Sequence, residues 1–203
     1  MLLEEVFDTV ELAWSKLGKE IRIMELGNQR MKWHSAQTAK KFFLEYEKAI
    51  EHISIDTNGK SGALPLDLSK DLIVLHPEWN GHFDLVTNFG TAEHVDGGIY
   101  ECYKNIHNFC RKGGVIINDG PPASGCPWHS PYHYYPHFFS TLAKKCGYDM
   151  LLRDARAVKG RRRKCHPKDR TLEIVVYHKI NNDQFISKSD FESIEGVLYE
   201  KLT

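Results

Sequence analysis

The side chains in this sequence best suited to chemistry at neutral pH fall in a few short stretches. Glu93 and His94, then Asp119, then His129, His133 and Tyr134 are groups able to accept or release a proton. Each has a plainer reading beside the chemical one. Glu93 and His94 can cap and pack a helix end, and Asp119 can be a turn residue ahead of Gly120-Pro121. His133 is the first histidine to test, because it lies among aromatic residues where a loop would close over a substrate. Cys126, His129, His133 and His137 have the types and short spacings of zinc ligands. Pro127, Pro131 and Pro136 prevent one helix from aligning them, so a mobile aromatic lid is preferred and no metal is assigned. The basic run Lys159 to Lys164, with Lys168 and Arg170, could grip the phosphates of a nucleotide or nucleic acid. No aromatic residue interleaves it, so a solvated hairpin tip is the preferred reading and nucleic acid is not the expected partner.

The elements that must hold these residues begin with Ile21 to Met31. Ile21, Ile23 and Leu26 read as a short strand that ends at Gly27. Gln29 to Ile50 reads as a helix, with Phe42, Phe43, Tyr46, Ala49 and Ile50 sharing a face. Strand, glycine turn and helix together let a backbone approach a ligand and offer helix N–H groups to anionic atoms. Further strands are expected at 52–56, ending in Asp56, at 63–68, containing Asp67, and at 83–88, ending in Asn88. Pro65 sets the 63–68 strand at an edge or makes it irregular. Helices are expected at 2–18, 99–110 and 134–146, a strand at 115–118, and a closing hairpin from 148–158 and 171–179. Residues after 181 receive no assignment. Short strands alternating with helices imply a mostly parallel sheet.

Composition narrows the class. Hydrophobic residues are 41% and charged residues 27% of the 203, the balance of a globular chain. Lys plus Arg and Asp plus Glu each number 27, so no global field points to nucleic acid or to a membrane surface. No apolar run reaches membrane-spanning length, and Glu4-Glu5 follow the first residues where a signal peptide would not place them. Five cysteines without a C-x-x-C pair fit reduced thiols and a cytoplasmic location.

The order E-L-G, I-D, L-D-L, F-D-L-V-T-N-F-G-T-A-E-H-V and G-G-V-I-I-N resembles the class I S-adenosylmethionine-dependent methyltransferases, in their small-molecule branch. The resemblance covers roughly residues 20 to 180, and Phe83 to Val95 is its most specific piece. It implies a Rossmann-like α/β fold: a mostly parallel seven-stranded sheet, helices on both faces, and an antiparallel strand from a C-terminal hairpin. Residues 1–203 would form one domain, with an N-terminal helix at 1–19, a core at 20–180 and a tail at 181–203. The same resemblance implies that Glu25 and Gly27 hold the methionine part of the cofactor and that Asp56 accepts the ribose hydroxyls. Asp67 and Leu68 would face the adenine, and Asn88 would line the pocket near the sulfonium. Asn28 and Gln29 join the cofactor turn at positions where the family usually has further glycines. Arg30 would either reach the cofactor carboxylate or block the turn.

The expectation is therefore a methyltransferase that uses S-adenosyl-L-methionine on a small or medium-sized acceptor, with His133, Glu93, His94 and Asp119 as candidate catalytic groups. The sequence leaves the oligomeric state open. Two alternatives keep the fold: a binding module that has lost catalysis, favoured by the single glycine, and an RNA or nucleotide methyltransferase using the basic hairpin at 159–170. A nicotinamide-dependent dehydrogenase fits worse, because pyrophosphate needs close backbone approach at more than one point.

Overall fold

The computed structural model describes residues 4, 7–124, 129–157, 171–194 and 197–199. In chain order the helices and strands are α1 (Phe7–Lys16), β1 (Arg22–Leu26), β2 (Arg30–Met31), β3 (Gln37–Thr38) and α2 (Ala39–Lys41), which continues as a π-helical turn, Phe42–Tyr46. Next come β4 (Glu51–Ile55), α3 (Leu72–Leu75), β5 (Phe83–Phe89), α4 (Ile99–Phe109) and β6 (Cys110–Gly120). The last are β7 (Tyr132–Tyr134), α5 (Phe138–Cys146), β8 (Asp149–Ala157), β9 (Thr171–His178), α6 (Lys188–Glu192) and β10 (Val197–Tyr199).

A six-stranded sheet in the order β4-β1-β5-β6-β9-β8 forms the centre. β4, β1, β5 and β6 run parallel, and the β8–β9 hairpin joins antiparallel through β9. Every residue of β5 is buried, as a central strand covered on both faces requires. One covering layer sets α1 and the Ala39–Tyr46 helical segment against Ile23, Leu85, Val115 and Val176, and Trp14 stacks on Phe43. The other sets α4, α5 and α6 against Met24, Leu26, Val86, Ile116 and Val175. The alternation along each strand divides the apolar residues between two cores.

Three expectations need correction. The helix expected from Gln29 to Ile50 begins only at Ala39. Residues 30–38 instead fold as the two-residue strands β2 and β3, which pair with each other. Thr38 caps the helix, its hydroxyl accepting from the Lys41 N–H. The strand expected at 63–68 is reduced to one parallel bridge between Ile55 and Leu64, since Pro65 has no N–H with which to continue a ladder. That loss makes six strands of the expected seven. Finally, the helix expected from Tyr134 begins at Phe138. Tyr132–Tyr134 pairs with β10 as a small second sheet, and Pro136 ends the extended run. The tail left unassigned supplies α6 and β10. The basic run at 159–170 and Cys126 lie outside the described residues.

Candidate active site: a cavity at the strand ends

The sheet order reverses between β1 and β5, and open α/β sheets bind ligands outside the carboxyl ends of their strands at such a point. A cavity of about 480 Å³ lies there, within the usual range of small-molecule sites. The turn after β1 supplies Gly27, Asn28 and Gln29, and the end of β4 supplies Ile55, Asp56 and Thr57. Leu66, Asp67, Leu68 and Ser69 form another wall, and Gly90, Thr91, His94, Val95 and Asp96 follow β5.

Gly27 has φ +79°, and a Cβ there would stand 2.5 Å from Thr91 Oγ1 and 2.7 Å from Gln29 Nε2. Only glycine fits. No helix N-terminus sits behind this turn, because residues 30–38 intervene. Its amides are met by carboxylates instead: Asn28 N–H donates to Asp56 Oδ2 at 3.1 Å, and Gln29 N–H to Glu25 Oε1 at 3.1 Å. The buried Gln29 amide donates to Leu26 O and to Thr91 Oγ1, each at 3.2 Å. Thr91 Oγ1 in turn donates to Leu26 O at 3.0 Å. Gln29 thus ties the ends of β1 and β5 together at a place where the family usually has glycine. Arg30 is exposed on β2 and is not among the cavity residues.

Of the expected cofactor residues, Gly27, Asn28, Gln29, Asp56, Asp67 and Leu68 meet around this one cavity. Asp56 also accepts from Asn58 N–H at 3.0 Å, yet a carboxylate has about four acceptor sites and retains capacity toward a ligand. Asp67 accepts from Ser69 N–H at 2.9 Å, which holds its carboxyl below the usual range. Glu25 and Asn88 do not line the cavity. Burial raises the Glu25 carboxyl above its usual range, against the pull of His52 at 3.3 Å. Asn88 is buried, its Oδ1 accepting from Ala92 N–H at 2.9 Å and its Nδ2 donating to Asn118 at 3.2 Å. It fixes the 3-10 turn Ala92–His94 and shapes the site from beneath.

The candidate proton-transfer groups separate. His94 is exposed and lines the cavity. Glu93 is fully buried behind it, and neither carboxylate oxygen has a hydrogen-bond partner among the described residues. Asp119 is the next-to-last residue of β6, its Oδ1 3.8 Å from a Cβ built at Gly90. His133 is fully buried on β7, with Nδ1 3.2 Å from Pro122 O, and lies outside the cavity. His129 approaches Glu93 instead of joining His133 and His137, and His137 is exposed just ahead of α5. Sequence reasoning missed Thr91, Ser69 and Asp96 at the cavity. Their one available signal was position, directly after expected strand ends.

Neither a protein-family model nor a curated protein matches this chain. Solved structures do. N-methyltransferase NodS from Bradyrhizobium japonicum, in complex with S-adenosylhomocysteine, superposes with a TM-score of 0.61 at 11% identity, over 88% of this chain and 87% of that one. The 1,6-didemethyltoxoflavin-N1-methyltransferase of Burkholderia thailandensis, with 1,6-didemethyltoxoflavin and S-adenosylhomocysteine bound, gives 0.59 at 10% identity, over 88% and 79%. The [4+2]-cyclase SpnF gives 0.55 at 12% identity, over 85% and 80%. With its parallel sheet, reversed strand order and strand-end cavity, the chain has the fold of the S-adenosylmethionine-dependent methyltransferases.

Proposed function

We propose that the chain is a single-domain methyltransferase that uses S-adenosyl-L-methionine on a small or medium-sized acceptor. The observation that carries this reading is the meeting of Gly27, Asp56, Asp67 and Leu68 around one cavity at the β1–β5 reversal. The donor set suits the cofactor: a backbone bend open to close approach, an acid for vicinal hydroxyls, and an acid with an apolar neighbour for an aminated ring. Small-molecule binding by the toxoflavin methyltransferase is in keeping with a small acceptor here. The three described cysteines, Cys102, Cys110 and Cys146, are free and buried, which suits a reducing, cytoplasmic setting.

When bound, the cofactor supplies a methyl group already activated on a sulfonium. The chain's work is then chiefly alignment. Asp56 would hold the ribose and Asp67 and Leu68 the base, while the Gln29–Thr91–Leu26 bonds hold the two strand ends at constant spacing. Asn88 and Asn118 brace the turn that presents His94. Where the acceptor must lose a proton, His94 at the cavity wall is better placed to take it than His133, which is enclosed by protein.

A second reading is a binding module without catalysis. Its support is the Gln29 side chain packed into the first turn, together with a [4+2]-cyclase among the proteins that share the fold. Titration calorimetry with S-adenosylmethionine and S-adenosylhomocysteine tests both readings. Saturable heat with both is expected, and none with either removes the enzyme. Binding without methyl transfer to any acceptor in a metabolite panel would favour the module.

A further inference from the structure

We propose that Glu93, His94 and His129 form a site for one divalent first-row transition cation beside the cavity. One ligand atom from each lies within 4.8 Å of the other two. The donors come from separate parts of the chain, the 3-10 turn after β5 and the segment before β7, so folding is what assembles them.

The spacing separates this reading from ordinary ion pairing. His94 Nε2 and His129 Nε2 stand 3.8 and 3.7 Å from Glu93 Oε1. A charge-assisted hydrogen bond would close to about 2.7–2.9 Å. Donors bound at about 2.0–2.2 Å around a tetrahedral cation lie about 3.3–3.6 Å apart, so small side-chain shifts complete the shell. The imidazole rings are 5.1 Å apart and inclined at 73°, so they do not stack face to face.

A second, independent observation is the Glu93 carboxylate itself. It is 0% exposed, and neither oxygen has a hydrogen-bond partner among the described residues. A buried carboxylate left in this way is costly, and buried charges are normally paired or coordinate metals. Two imidazoles and one carboxylate suit Zn²⁺, Mn²⁺, Fe²⁺ or Co²⁺ better than Mg²⁺ or Ca²⁺. Three protein donors leave a tetrahedral site one open position, and with a cation bound His94 Nε2 would be a ligand and no longer free to accept a proton. The zinc reading of the sequence therefore returns on a different donor set, with His129 alone in common.

The test uses the full chain, stripped with a chelator and then titrated with Zn²⁺ by calorimetry and with Co²⁺ by visible absorption. The expected result is one equivalent of either metal, with ligand-field bands that mark nitrogen and oxygen ligation for Co²⁺. His94→Ala and His129→Ala should each weaken Zn²⁺ binding about tenfold or more, and the double variant should abolish both the heat and the Co²⁺ bands. Both histidines are at least partly exposed, and circular dichroism would verify folding. Glu93→Gln should also lose the metal; if it does not fold, the histidine variants carry the test. No uptake by the wild type, or unchanged uptake by the double variant, overturns the proposal. S-adenosylhomocysteine binding in the same preparations reports on the cofactor separately, so either reading can fail alone.

Discussion

Tyr103 and His107 lie one turn apart on α4, and each reaches into a buried polar cluster. At the His107 end the groups are matched. His107 Nε2 donates to Asp183 O at 2.8 Å, which makes Nδ1 the acceptor for the Tyr148 hydroxyl at 2.7 Å. Lys179 Nζ donates to His107 O and Cys110 O at 2.7 and 2.9 Å. At the Tyr103 end they are not. Both Glu93 oxygens lack hydrogen-bond partners among the described residues, and the Tyr103 and Tyr134 hydroxyls have only each other, short of good hydrogen-bond geometry. Burial pushes both phenols well above their ordinary range, with the neighbouring Tyr134 adding most to the effect at Tyr103 and the Glu93 carboxylate adding most at Tyr134. A folded chain satisfies its buried polar groups wherever stability alone decides. The matched cluster is thus scaffold, and the unmatched one, adjoining the cavity through His94, is where a ligand or ion has something to complete.

The largest effect that would break this contrast is at Lys179. Replacing it by Met leaves two carbonyls without their donor and should cost about 2–4 kcal/mol in urea unfolding. A loss near zero would mean that the matched cluster contributes nothing. Acid acts on the same cluster. Burial first, then Lys179, hold the His107 pKa down at about 4, against about 6.5 in an unfolded chain. A folded-state value below the unfolded one means that the unfolded chain binds the proton first as pH falls. The stabilisation is fully present above pH of about 6.5 and is lost toward pH of about 4, amounting to about 3 kcal/mol. His107→Gln should flatten that slope, as read from unfolding free energies across the interval.

Smaller effects sharpen the comparison. Asp56→Ala should weaken S-adenosylhomocysteine binding by about 1.5–3 kcal/mol through lost charge-assisted hydrogen bonds, measured by calorimetry, and should cost about 1 kcal/mol in unfolding because the Asn28 and Asn58 N–H groups lose their acceptor. Least of all, Tyr103→Phe and Tyr134→Phe should each alter stability by less than about 0.5 kcal/mol, whereas Tyr148→Phe should cost about 1 kcal/mol, because Tyr148 gives up a well-formed hydrogen bond of 2.7 Å. Equal losses at all three tyrosines would dissolve the distinction between the clusters.

The sequence made some of this legible and concealed the rest for physical reasons. β1, β4, β5 and α4 follow from periodicity because each carries its own apolar pattern between turn residues. The convergence of Gly27 and Asp56 was legible because strand ends in a parallel sheet share one edge, whereas Asp67 lies on no strand and was reached only through the family resemblance. The stretch 29–50 misled because the apolar face at Phe42 and Phe43 is real, while nothing in the pattern marks Thr38 as its cap until the β2–β3 pairing is seen. β7 was hidden because its partner β10 lies more than sixty residues away. The meeting of His129 with Glu93 was hidden likewise, and proximity in sequence had set His129 beside His133 and Cys126.

The most direct measurement is a crystal structure of the chain grown with S-adenosylhomocysteine. The account predicts the ribose hydroxyls on the Asp56 carboxylate and the adenine beside Asp67 and Leu68, with the homocysteine end passing Gly27. Adenosine bound elsewhere, or a first turn closed to it by the Gln29 side chain, would contradict the account.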